Sequence, residues 1–386
     1  MVKRSLLWVL LFSVLYVSFV QAQTMTNGFG DVNNRGVVSL TTYNNQLYAG
    51  AGNNVTGAEV WRWNGSSWAQ VNTDGFGNAN IRYVYCMTVF NNQLYAGAYI
   101  TPPNTGGQVW RYDGANWTQL ATNFGDANNR GIHCLIVFNG QLYAGTGNVV
   151  TGGEVWRYDG VNWTQVNTDG FGDAANWGVQ RMVIFNSQLY ASTYKNSGGG
   201  EVWRYDGANW TQVNTDGFGS ADNTSINNMG VFNGSLYAVA SNLTTGIQVW
   251  RYDGANWTQV NTSGFGDVNN SQSLSMVSFN NRLYVGTDNG NGAEVWEYDG
   301  SVWTQVSTNG FGDVNNVGAR AMFVFNDRLY VGTYNVVTGG ELREVEIAAP
   351  SQVATAVPTM TEWGMVIMSV LFGGSSIYLL RRRWAV

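Results

Sequence analysis

Apolar and polar residues alternate along this chain in short runs, and the runs return at a fixed interval. Between residues 131 and 178 they come in one order. His133–Phe138 is nearly continuous in apolar residues, which predicts a strand covered on both faces. Gln141–Thr146 follows after Asn139–Gly140, a strong two-residue hairpin signal. Gly153–Asp159 alternates, with Val155, Arg157 and Asp159 on one side and Trp156 and Tyr158 on the other. Asn162–Asn167 follows a second tight turn on Asp159–Gly160. Val, Tyr, Trp, Thr and Phe dominate these runs, and all suit strands. No run is long enough to predict a helix.

The same unit fills residues 24 to 346. Its Leu-Tyr pair marks the period, with tyrosines at 48, 95, 143, 190, 237, 284 and 330, so the steps are 47, 48, 47, 47, 47 and 46 residues. Periods of this length belong to propellers and solenoids. Four antiparallel strands repeated seven times predict an all-β fold, a seven-bladed β-propeller. Strand three carries a Trp (as Trp110, Trp156 and Trp203) and strand four another (as Trp117, Trp163 and Trp210). This ladder predicts packing between blades, each ring burying about 150–250 Å². Strand one adds Leu40, Met87, Leu135, Met182, Met229, Met276 and Met322.

The repeat starts out of phase. Thr24–Asp31 matches the end of a unit, whereas the seventh unit stops after Gly340–Val345 with no Trp-Thr-Gln-Val strand. The N-terminal segment is therefore expected to supply the fourth strand of the last blade. That closes the ring and removes open sheet edges. The propeller is placed at residues 23–346.

Outside it lie two signals. Residues 1–22 read as a secretory signal peptide: Lys3 and Arg4, an apolar stretch from Leu6 to Val20, then Val20-Gln21-Ala22 at the cleavage point. Residues 347–357 read as a linker. Residues 358–386 hold Pro358, Thr359, Trp363 and Gly364, an apolar stretch from Met365 to Leu380, and Arg381-Arg382-Arg383. This order resembles the IPTL-type C-terminal sorting signals of bacterial envelope proteins, with Val357 and Met360 in place of Ile and Leu. The resemblance implies processing by an exosortase-type membrane protease and a cell-envelope or surface location. The apolar stretch is short for a span of about 20 residues, and the arginines favour the cytoplasmic side. An ordinary tail anchor is the alternative reading.

Charge narrows the partners. The chain has a net charge of −6, from 19 basic and 25 acidic residues. Five of the basic ones (Lys3, Arg4, Arg381, Arg382 and Arg383) sit in the end signals. The propeller is more acidic still, which excludes a nucleic-acid partner of the usual basic-stripe kind. Cys86 and Cys134 occupy the same position in adjacent blades. In an oxidising compartment they are candidates for a disulfide between blades two and three; the alternative is two buried thiols.

In a repeat chain, what recurs is scaffold and what is peculiar to one blade is a candidate for function. The GFGDxNN segment joining blades and the loop between strands two and three are expected on one face, and the tight turns on the other. Asp31, Asp126, Asp173, Asp267 and Asp313 recur in GFGDxNN and read as turn caps. Calcium is the alternative, since carboxylates and Asn carbonyls suit a hard cation; no other cofactor is expected. Glu59, Glu154, Glu201, Glu294 and Glu341 recur and read as surface strand residues.

The blade-specific residues near the channel mouth are Arg82, Tyr83, Tyr85, Arg130, His133, Trp177, Arg181 and Arg320, with Tyr99, Tyr194, Lys195 and Tyr334 on neighbouring segments. Aromatics beside arginines suit a sugar or an anion; the alternative is that they plug the channel. His133 is the only histidine, which excludes a multi-histidine zinc or copper centre. No Ser-His-Asp set and no paired carboxylates stand among these positions, so no catalytic residue is assigned.

The Leu142-Tyr143, Val155-Trp156-Arg157-Tyr158 and Trp163-Thr164-Gln165-Val166 strands resemble kelch-type blades. The double glycine that ends strand two in kelch is here one glycine, Gly145, followed by Thr146. The copper ligands of the oxidase members are missing. The resemblance implies the fold and no activity. The expected function is a non-catalytic binding or adhesion module of the envelope, directed at glycans or envelope polymers. A polysaccharide hydrolase or lyase at the channel mouth and a purely structural ring are the alternatives.

Overall fold

The computed structural model describes residues 23–101, 106–195 and 197–345. The chain divides into two units, 1–346 and 347–386, and the described residues all belong to the first. The expected signal peptide, the linker and the C-terminal signal with its apolar stretch lie outside them. No helix among the described residues is long and apolar enough to cross a membrane.

Blade three shows how one unit folds. Asn129–Phe138, Gln141–Asn148, Val155–Tyr158 and Trp163–Gln165 pair in order, each antiparallel to the next. Asn139 (φ 49°) and Gly140 (φ 71°) form the hairpin turn, and other blades use two left-handed residues such as Asn44 and Asn45. At the outer turn the Asp159 carboxylate accepts the Val161 and Asn162 backbone N–H groups at 2.8 Å.

Seven such blades circle one axis. The N-terminal strand Gln23–Asn27 pairs antiparallel with Glu341–Val345 and completes the last blade, as the phase of the repeat predicts. Gly36 of blade one then bridges to Tyr334 of blade seven, and the innermost strands of these two blades touch. The ring is closed.

Both faces of a blade are covered by its neighbours. Cys86, Tyr95, Val109, Ile132, Leu142 and Tyr158 pack between blades two and three. Cys134, Tyr143, Val155, Val179, Leu189 and Tyr205 pack between three and four. Val155 and Tyr158 of one strand thus serve opposite faces, as period-two alternation requires. Each such side chain contributes about 1.5–3 kcal/mol when fully buried.

The joining segments lock the blades. In GFG the Phe takes a left-handed backbone, φ 58° at Phe171, which costs of order 1–3 kcal/mol. Its ring stacks on Trp203 of the next blade at 4.9 Å and meets Trp210 edge-on at 5.1 Å. The same stack recurs around the ring, from Phe29 on Trp61 to Phe265 on Trp296. The tryptophans are therefore half-buried clasps between blades.

The recurring glutamates are not surface residues. Glu59, Glu154, Glu201, Glu294 and Glu341 are all buried. Glu154 accepts the side-chain N–H of Asn129 at 2.7 Å and the Trp156 indole N–H at 2.6 Å. Asn129 also donates to the Asn123 carbonyl. Each Glu ties strand three of its blade to the segment entering that blade, and this satisfies polar groups that burial would otherwise leave orphaned.

The cysteines are not bonded to each other. Cys86 and Cys134 are both free thiols. Each faces the carbonyl of the following blade, Ile132 at 3.6 Å and Val179 at 3.5 Å. Ser39 makes the same contact to Val84 in blade one. The position bonds blade to blade through the backbone, so a shared position does not imply a pair.

Candidate functional site

A register shift in every innermost strand builds the site. The ladder skips one residue after the position of Val37, and the same slip recurs in the other blades, extending over two residues in blade six. Such bulges re-aim a side chain. The residues displaced are Val38, Tyr85, His133, Gln180, Asn227, Leu274 and Arg320, one per blade. All seven line one chamber of about 350 Å³ on the channel axis. Blades that otherwise repeat nearly unchanged therefore present seven different side chains at one ring.

Tyr99, Arg130, Trp177, Arg181 and Tyr194 complete the wall. The structure thus brings together eight of the twelve residues named above for the channel mouth and its neighbouring segments. Tyr83 stands behind the wall, its ring stacked on Tyr85 at 5.2 Å. Arg82 does not line the chamber, and its Nε is buried without a hydrogen-bond partner among the described residues. Lys195 is not at the channel. It is buried at the end of strand two and paired with Glu201, with Asp173 at 3.0 Å and with Asp216 at 3.2 Å. Burial opposes its charge, but these carboxylates outweigh that and raise its pKa.

The wall is polarised. Tyr85 packs on Tyr99 at 5.4 Å and on His133 edge-on at 5.6 Å. Trp177 meets Tyr194 edge-on at 5.7 Å. Across the ring, Arg320 binds Asp288 at 2.8 Å and lies over the Tyr334 ring at 3.8 Å. Burial pushes the Asp288 carboxyl up while Arg320 opposes it. Asp288, which the sequence pattern does not mark, shares its register position with Tyr99, Tyr194 and Tyr334. Burial drives the His133 pKa down to about 4, so its imidazole is neutral near pH 7, and its Nδ1 has no partner among the described residues.

Val38, Tyr85, Arg181, Leu274 and Arg320 also border a second chamber of about 400 Å³. They form the waist between the two. Leu40, Met87, Leu135, Met182, Met229 and Met322 line this second chamber, so the Leu/Met ladder faces the axis as well as the blade contacts.

The GFGDxNN carboxylates are engaged by protein donors. Asp126 accepts from the Asn128 backbone and from Asn148 at 2.8 Å each. Burial works against its charge, but these donors outweigh it and lower its pKa. Asp31, Asp267 and Asp313 accept from Asn53, Asn289 and Asn335 in the same way, and Asp173 pairs with Lys195. These bonds also place the GFGDxNN segment and the loop between strands two and three on one face. Among the described residues no three His, Cys, Asp or Glu side chains cluster as a metal site. The loops of this face carry exposed aliphatics, including Val55, Val150, Leu243, Val314 and Val337.

Residues 355–383 match the IPTL-CTERM motif. No curated protein sequence matches the chain. Among solved structures, the chain is similar to a chain of the mitotic checkpoint complex (16% identity, TM-score 0.58, 88% of this chain and 100% of that one). It is similar to the WD40 β-propeller domain of Doa1 (10%, TM-score 0.57, 86% and 98%). It is also similar to the GH74 xyloglucanase of Xanthomonas campestris (15%, TM-score 0.57, 86% of this chain and 54% of that one). At these identities the likeness shows the fold alone. The motif is a sorting signal for export and attachment to the bacterial envelope, read by an exosortase-type enzyme. The chain is a secreted β-propeller with an IPTL-CTERM sorting signal, addressed to the bacterial cell envelope or surface.

Proposed function

We propose that this envelope protein is a non-catalytic binding module whose ligand, a glycan or envelope polymer, enters the chamber on the loop face. The observation that carries the reading is the bulge ring. A purely structural ring has no need of Val, Tyr, His, Gln, Asn, Leu and Arg at one position of otherwise alike blades. The chamber volume falls in the range of small-ligand sites, and its mix of rings with a few polar groups suits a sugar face and its hydroxyls.

Hydrolysis finds less support. The lining of the chamber includes no carboxylate, and Asp288 beside it is taken by Arg320. A glycosidase needs two carboxylates across the bond. Combined Trp177→Ala and Tyr194→Ala replacement should lower affinity for the bound glycan by about tenfold or more while the melting temperature holds within a few degrees. Undiminished binding by that variant would move the site elsewhere.

A further inference from the structure

Two of the three arginines that line the first chamber differ in one respect. Arg320 has its counter-ion, Asp288. The Arg181 side chain has no hydrogen-bond or ion-pair partner among the described residues. It lies at the waist, deep in the wall yet open to both chambers. Its ionisable neighbours are the thiols of Cys86 and Cys134, whose pKa values burial pushes up, that of Cys134 to about 12, so both are neutral. Burial likewise works against the charge of Arg181 and lowers its pKa. In the other blades its position holds Ser39, Cys86, Cys134, Asn228, Ser275 or Ala321. The scaffold therefore works with a small residue there, and blade four carries a guanidinium instead.

A guanidinium set apart from any carboxylate is costly unless something binds it. Its planar fork matches a carboxylate with two parallel N–H···O bonds. Arg130, on the same wall, has no partner among the described residues either and adds positive charge. The chain as a whole is acidic, so this local excess is opposite to its average. The rings of Trp177, Tyr194 and Tyr99 stand at the chamber around it.

We infer that the chamber selects a sugar residue bearing a carboxylate, of the uronic or ulosonic acid class, and that Arg181 receives that carboxylate. This rests on the reading of the chamber as a glycan site. Arg181 fixes orientation and charge selectivity, and the aromatic rings hold the sugar face.

The test is calorimetric titration of the full chain, in mild detergent, with glucuronate, galacturonate and N-acetylneuraminate glycosides, each beside its methyl ester, and with a sulfated disaccharide. At least one acid should bind about tenfold or more tighter than its ester. Arg181→Gln should erase that difference between acid and ester. Arg181→Lys should restore only part of it, because the charge returns without the fork. Neither variant should melt below the parent, since no folded-state partner is lost. Acids and esters bound alike, or a sulfated sugar bound tighter than every acid, would overturn the assignment to Arg181 while the glycan reading stands. No binding of any sugar would overturn both.

Discussion

The buried Glu at the head of strand three shows what a single residue does in this fold. Glu154 holds Asn129 and Trp156 together at hydrogen-bond distance. In blade five Gln248 makes the same two contacts, to Asn223 and Trp250. Glu154→Gln should therefore fold normally, whereas Glu154→Ala strands two donors and should cost about 1–3 kcal/mol, read by denaturant melts. Burial raises the Glu154 carboxyl above its ordinary value. The folded chain then holds that proton more firmly than the unfolded chain does. The cost of the ionised group is full above the folded pKa and fades as pH falls. Glu154→Gln should gain on the parent near pH 7 and lose that advantage by about pH 4. The sequence pattern misplaced these glutamates because a charge before a strand reads as exposed, and only the fold brings the Asn of the preceding segment over it. Asp288 was missed for a related reason. Its column was visible through Tyr99, Tyr194 and Tyr334, but an Asp looks like one more turn residue until Arg320 of the next blade faces it.

At the level of elements, the segment joining two blades is the clasp. Phe171 accepts a strained backbone, and its ring closes on Trp203 and Trp210. Phe171→Ala should lower stability by about 2–4 kcal/mol, somewhat under the loss for a fully buried Phe. Phe171→Leu should recover part of it, and thermal unfolding of both variants checks the order. Strand number, hairpin turns and the Trp ladder were legible because each repeats. The bulge in the innermost strand was not. It adds one residue to a ladder without changing composition, so which residue faces the axis could not be counted from alternation alone. For that reason Arg82 and Tyr83 read as mouth residues in the sequence, while Gln180, Asn227 and Leu274 carry no mark there. Lys195 was misplaced because its neighbour Tyr194 does face the chamber, and in a strand the next residue points away.

For the whole molecule, closure is the governing fact. Gln23–Asn27 supplies the last strand of the last blade, and the out-of-phase start of the repeat announced it. Removing residues 23–27 should leave Glu341–Val345 as an unpaired edge. The expected result is a melting temperature lowered by about 10 °C or more together with concentration-dependent association, seen by scanning calorimetry and light scattering. A closed ring holds seven different side chains at one level of its axis, and the proposed recognition lies at that level. The direct test is binding of the purified chain to an immobilised polysaccharide panel, with and without EDTA, beside the Trp177→Ala and Tyr194→Ala double variant. Binding should survive the chelator, because the GFGDxNN carboxylates already have protein donors, and should fall in the variant. Binding that EDTA abolishes and the variant retains would overturn the chamber as the site, and would return attention to those carboxylates on the loop face.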